Sequence, residues 1–207
     1  VLSHLEYYLQ IVWPELNVNV VSTTEQWAGA ALAGPKSRDV LSKLFPDLDV
    51  TNEGLPFMGY TEGKLFGIDA KIFRISFSGE LAYEINVKSD NGLFMWEKII
   101  EIGKEFNMQP YGTEALSTLR IEMGHVAGPE LDGRTIPYDV SLDGMVSKKK
   151  DFIGKRSLQK EAFTRDDRQK IVGLVPLDKK SSIPEGSHLV ENKNAKYPIP
   201  KLGHVSS

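Results

Sequence analysis

The chain has 207 residues, 41% of them hydrophobic and 26% charged, an ordinary globular balance and long enough to bury a core. A net charge of −3 gives no electrostatic case for nucleic acid or an anionic membrane surface as a partner. The absence of cysteine excludes disulfides, thiolate nucleophiles and thiolate metal sites.

Leu2, Leu5, Leu9 and Val12 recur at helical spacing, and Pro14 stops that helix. Val18, Val20 and the Thr23-Thr24 pair alternate with polar residues as a strand does. Glu25 to Ala33 reads as a second, more buried strand ended by Gly34-Pro35, and Ser37 to Phe45 as a helix with Pro46 beyond it. A β-rich section follows. Met58 to Thr61 and Lys64 to Gly67 flank an expected turn at Glu62-Gly63, Lys71 to Phe77 alternates, Gly79 breaks the run, and Tyr83 to Val87 resumes it. Asp90 or Asn91 caps a helix carrying Leu93, Trp96, Ile99 and Ile100 on one side. Another starts at Thr113 with Ala115, Leu116, Leu119 and Met123 inward.

From Gly124 to Asp151 the text is rich in glycine, proline and aspartate, a long ordered loop or a set of short elements. A short helix near Gly154 to Lys160 precedes a charged linker, Arg165 to Arg168. The tail reads as strands at Ile171 to Val175, His188 to Val190 and Leu202 to Ser206. Strand pairs followed by helices, without strict βαβ alternation, indicate an α+β fold. No apolar run reaches the roughly 18 residues of a membrane helix. A cysteine-free chain fits a cytoplasmic location, and without an initiator methionine or signal-like start the sequence reads as a piece cut at both ends.

The common catalytic signatures are missing. No glycine run matches a phosphate loop or dinucleotide fingerprint, and no Gly-x-Ser-x-Gly elbow occurs. The four histidines, His4, His125, His188 and His204, never fall at metal-pair spacing, so no metal site is expected. The Lys148-Lys149-Lys150 run beside Asp151 reads as a solvated loop. Arg120 and Glu122 read as a structural ion pair in preference to a direct ligand contact, while Tyr138 and Asp139 either line a pocket or close it.

The most informative segment is Arg74 to Val87, RISFSGELAYEINV. Read plainly, it is two strands joined at Gly79. Glu84 nonetheless sits in mid-strand, on the opposite face from Tyr83 and Ile85, where a carboxylate either meets solvent or has been placed in a pocket, since burying it unpaired is costly. The segment resembles the glycine-cleavage T-protein family, in which a Tyr-Thr-Gly-Glu-x-Gly-x-Glu strand pair lines a tetrahydrofolate pocket. Phe77, Ser78, Gly79 and Glu80 stand at its first four positions, Tyr83 and Glu84 at its aromatic residue and second glutamate, and Leu81 and Ala82 depart from it. WAGAALAGPKSRDVL from Trp27, GTEALSTLRIEMG from Gly112, the run Asp132 to Pro137, Lys148 to Gly154 and the tail IVGLVPL, PEGSHLV and LGHVSS also resemble family segments, in order. Within the family the phrasing is most similar to the alpha subunits of multi-subunit sarcosine oxidases. Leu116, where T-proteins carry an arginine, points the same way.

The resemblance implies a T-protein-like folate-binding fold with mixed or antiparallel sheets. Residues 1–160 would form the aminomethyltransferase-like domain, and 166–207 the start of a C-terminal β-barrel. It implies tetrahydrofolate as the cofactor of this region, with Glu84 holding the pterin, Phe77 offering an apolar wall and Tyr83 beside them. The family's catalytic aspartate lies upstream of the matched region, so no catalytic residue is assigned. Other sarcosine oxidase subunits are the implied partners, with flavin and NAD bound elsewhere in the complex. The implied reaction is oxidative demethylation of sarcosine to glycine, the one-carbon unit passing to tetrahydrofolate as 5,10-methylenetetrahydrofolate. The chain alone is expected to be inactive. A stand-alone folate-dependent aminomethyltransferase or demethylase and a non-catalytic assembly module remain the alternatives.

Overall fold

The computed structural model describes residues 1–207 and divides into two compact units, Val1–Leu116 and Ser117–Ser207. The division expected near residues 160–166 falls inside the second unit.

The first unit opens with helix α1 (Leu2–Tyr7), which widens into a π-helical turn over Tyr8–Val12 ahead of Pro14. Its apolar stripe covers no core: Leu2, Leu5 and Val12 all remain exposed. The strand expected around Val18 to Thr24 is absent, and Val18, Val20 and Val21 are exposed. Alternation makes a strand only where a partner supplies hydrogen bonds and a surface to cover, and this stretch has neither.

Four strands then form one antiparallel sheet. They are β1 (Trp27–Ala33), β2 (Tyr60–Leu65), β3 (Ile68–Phe73) and β4 (Ala82–Lys88), ordered β1-β4-β3-β2. Helices α2 (Ser37–Leu44) and α3 (Gly92–Gly103) pack on one face of it. Leu41, Phe45, Ile72, Tyr83, Ile85 and Val87, each at most 1% exposed, form the centre of the core between sheet and helices. Sequence dictates α2 directly, because Val40, Leu41 and Leu44 recur at helical spacing and all three are buried. α3 buries only part of the expected stripe: Ile99 is buried together with Met95, whereas Leu93 and Trp96 remain largely exposed.

The β2–β3 turn also moves. Glu62 and Gly63 lie inside β2, and the chain reverses at Phe66-Gly67, where both residues have positive φ (49° and 91°) and Leu65 pairs with Ile68. That is a two-residue hairpin whose twist matches the strands. Gly63 serves a different purpose: a Cβ there would meet Leu48 Cδ1 at 2.6 Å and Phe45 Cδ1 at 3.3 Å. The glycine lets the loop after α2 lie against the sheet. Strand β3 stops at Phe73, four residues earlier than expected, and Arg74–Leu81 forms an irregular connection with Gly79 at φ 83°.

Helix α4 (Thr113–Met123) is mostly exposed. Ala115 and Met123 face solvent, against expectation, and Arg120 is its one buried residue. The second unit is otherwise built from single turns, the short helix α5 (Glu161–Thr164) and a two-residue ladder between β5 (His188–Leu189) and β6 (Gly203–His204). No strand forms at Ile171 to Val175; the Ile171 amide donates to the Asp139 carbonyl at 2.7 Å. A ladder this short does not establish a barrel.

Two buried acids organise the second unit, and each reaches back to the amide at the start of its own turn, as capping acids do. Glu130 accepts from the Ala127 amide at 2.8 Å and from Arg120 Nη1 at 2.7 Å, and Ser207 Oγ donates to its other oxygen. Arg120 therefore pairs with Glu130, not with the expected Glu122. Asp139 accepts from the Ile136 amide at 3.0 Å and from both Nε and Nη2 of Arg168. Asp139 thus closes the structure, and the stretch ending at Arg168 is anchored rather than a free linker. No helix is long and apolar enough to cross a membrane.

Candidate functional site

β4 has a neighbour on both sides, so its side chains must leave through the two faces of the sheet alternately. Tyr83, Ile85 and Val87 enter the core, while Glu84, Asn86 and Lys88 project from the face that α2 and α3 leave open. The register sets Ala31 of β1 on one side of Glu84 and Phe73 of β3 on the other. Phe73 is paired across the next ladder with Tyr60, their rings 4.9 Å apart and tilted by 40°. The Glu84 carboxylate is exposed and makes no hydrogen bond or ion pair within the chain. A free acid thus stands between a methyl-sized neighbour and a pair of aromatic rings.

Of the three residues expected to bind together, this geometry separates Tyr83 from Glu84. Tyr83 is fully buried beneath the sheet, so it cannot share a surface with Glu84; adjacent strand residues point opposite ways. Burial pushes its phenol above the ordinary value, partly offset by the positive charges of Arg38 and Arg74. Its hydroxyl makes no hydrogen bond. Phe77 lies in the Arg74–Leu81 connection, 46% exposed. The aromatic surface at Glu84 is therefore Phe73 with Tyr60, two residues that the sequence reading did not assign. Tyr83→Phe is expected to leave ligand affinity at the open face unchanged and stability equal or slightly higher, because a buried hydroxyl without a partner costs about 1–3 kcal/mol. Calorimetric titration beside a thermal melt checks both, and a clear loss of affinity would put the hydroxyl at the ligand.

A cavity of about 640 Å³ opens at the outward edge of β1. It runs along Gly29 to Gly34 and is walled by Trp96, Ile100, Phe106, Met108 and Leu116. Glu84, Tyr83 and Phe77 are not among its lining residues. The chain accordingly offers two distinct surfaces: an apolar hollow beside β1, and an open sheet face carrying one unpaired carboxylate.

A single antiparallel sheet backed by two helices, with an acid on the uncovered face, defines the architecture of the first unit. Residues 1–150 match the model of the GCVT N-terminal domain, and the chain belongs to that family. It is 48% identical over 192 residues to the sarcosine oxidase subunit alpha of Corynebacterium sp. (strain P-1), covering 92% of this chain and 20% of that protein. It is 44% identical over 210 residues to the same subunit of Rhizobium meliloti (strain 1021), covering 100% of this chain and 21% of that protein. An aminomethyltransferase of Halothermothrix orenii is 35% identical over 143 residues, or 68% of this chain and 39% of the relative. The chain thus spans about a fifth of the length of its sarcosine oxidase relatives.

Proposed function

We propose that this chain is the folate-binding part of a cytoplasmic sarcosine-oxidising flavoenzyme. The whole protein would demethylate sarcosine to glycine and hand the one-carbon unit to tetrahydrofolate. The reading rests on the relatives' identity as sarcosine oxidase alpha subunits together with one observation, the unpaired carboxylate of Glu84 on an open sheet face beside two aromatic rings. A reduced pterin presents a ring N–H next to an exocyclic amine, two parallel donors that one carboxylate accepts together. Phe73 and Tyr60 offer the flat apolar surface such a ring stacks on, Ala31 leaves room on the other side, and Phe77 extends the apolar wall. Tyr83 braces the strand from below. When bound, tetrahydrofolate supplies the amines that take up the one-carbon unit; this chain's residues bind and orient it. Flavin, NAD and the amine site belong, on this reading, to other portions of a multi-subunit assembly, and the isolated chain is not expected to turn over.

Glu84→Ala in the full-length assembly should weaken equilibrium binding of a tetrahydrofolate analogue at least tenfold, about 1.4 kcal/mol. Removal of this exposed, unpaired side chain leaves the core intact, so folding does not confound the result. Unchanged affinity rejects the pterin clamp.

A further inference from the structure

The open face has a second feature, four residues along β4 from Glu84. Register places Trp27 of β1 beside Lys88 and sets Lys71 of β3 beside Asn86. The ammonium of Lys88 lies 4.5 Å, and that of Lys71 4.7 Å, from the centre of the Trp27 ring. Two like charges are therefore drawn to one indole, and neither has a carboxylate partner. Lys71 has an obvious one, since Glu62 is its cross-strand neighbour on the same face. That carboxylate instead accepts from the Tyr60 hydroxyl. Cross-strand neighbours of opposite charge ordinarily pair, and like charges held close favour any anion that can come between them. Here the local acid is engaged elsewhere, so the positive end of the face is uncompensated.

Resting on the folate reading of Glu84, we propose that Lys71 and Lys88, shelved on Trp27, bind the glutamate carboxylates of the ligand's tail. At the usual strand rise, Lys88 stands about 13 Å from Glu84 on the same face, with Lys71 between. An aminobenzoyl spacer lying along the strand bridges that interval. The face then has a polarity that matches the ligand end for end: a carboxylate for the pterin donors, aromatic rings beside it, and ammonium groups for the anionic tail. The tail charges also approach without meeting Glu84, because the acid and the lysines occupy opposite ends of the strand.

The test compares tetrahydrofolate with tetrahydropteroate, which lacks the glutamate, by titration into the full-length assembly. The natural protein should bind tetrahydrofolate about tenfold more tightly, the size expected of charge-assisted contacts. In a Lys71→Gln/Lys88→Gln double variant that ratio should fall below about threefold, with tetrahydropteroate affinity unchanged. The Lys71→Arg/Lys88→Arg variant, which keeps both charges, should retain most of the ratio. An undiminished ratio in the glutamine variant, or equal binding of the two ligands by the natural protein, overturns the tail site. Glu84→Gln should weaken both ligands alike and leave their ratio intact. Loss of the ratio alone thus speaks to the lysines and loss of both affinities to Glu84. Failure of both ligands to bind the natural protein removes the folate reading and the tail site with it.

Discussion

Glu130→Ala is expected to raise hydrogen exchange at the Ala127 amide and its neighbours at least a hundredfold, reflecting a local destabilisation of about 3–5 kcal/mol. The substitution removes the acceptor of the Ala127 amide and strands the Arg120 guanidinium, whose side chain is only 7% exposed, without its counter-charge. A buried charge left unpaired costs far more than the net value of the pair. A double replacement, Arg120→Met with Glu130→Leu, should therefore recover most of the loss, since it removes both charges and keeps the volume. If the single variant exchanged like the natural protein, the buried pair would not organise this unit.

The same carboxyl gives the unit an acid limit. Burial pushes Glu130 upward, but hydrogen bonds from Ser207, the Ala127 amide, Arg120 and Ser206 outweigh it and hold the group at about 2, against 4.5 when free. Between those values the unfolded chain takes up the proton and the folded one resists it, so acid favours unfolding. The stabilisation is complete above about pH 4.5 and is lost as pH falls toward 2. Exchange protection, corrected for intrinsic rates, should decline across that window in the natural protein. In Glu130→Gln this group's share of the decline disappears.

Ile85→Ala should destabilise the first unit by about 2–5 kcal/mol, the range for deleting most of a large buried aliphatic side chain. Ile85 is fully buried in the middle of β4, paired with Ala30 on one side and Ile72 on the other. Its neighbour Glu84 gives the contrast: alanine there should change stability by no more than about 0.5 kcal/mol. The pair tests the orientation of the strand on which the site depends. Exchange of the β4 amides in both variants measures it, and a cost below about 1 kcal/mol for Ile85→Ala would mean that the strand faces the other way.

Much of this arrangement can be read from the residues. β1, α2 and β4 lie close to where composition and periodicity put them, and the alternation of β4 sends Glu84 away from Tyr83 and Ile85 as expected. What alternation does not supply is the identity of neighbours in space. Phe73 and Tyr60 reach Glu84 only through the β2–β3 register, and that register depends on the turn. Glu62-Gly63 has the composition of a turn, but Gly63 is small because α2's trailing loop presses on it, a tertiary reason invisible locally. Moving the turn to Phe66-Gly67 resets every pairing in the hairpin. Arg120 and Glu122 suggested a pair by proximity in sequence, yet Glu130 is the partner because the chain doubles back after Gly124. α4 looked inward by its apolar count and is mostly exposed, since periodicity shows that a stripe exists and not what covers it.

The hollow beside β1 has a consequence for solution behaviour. A sheet's outermost strands carry main-chain groups that a foreign strand can join. β1 is nearly free of charged deterrents along WAGAALA, but its outward rim opens into a recess bounded by residues 106–116, where a flat intruder has no straight approach. At the opposite rim, β2 carries Glu62 and Lys64 with lysine's usual discouraging effect. One border is guarded by shape and the other by charge, which lets the sheet keep a bare face without inviting fibrils from its sides.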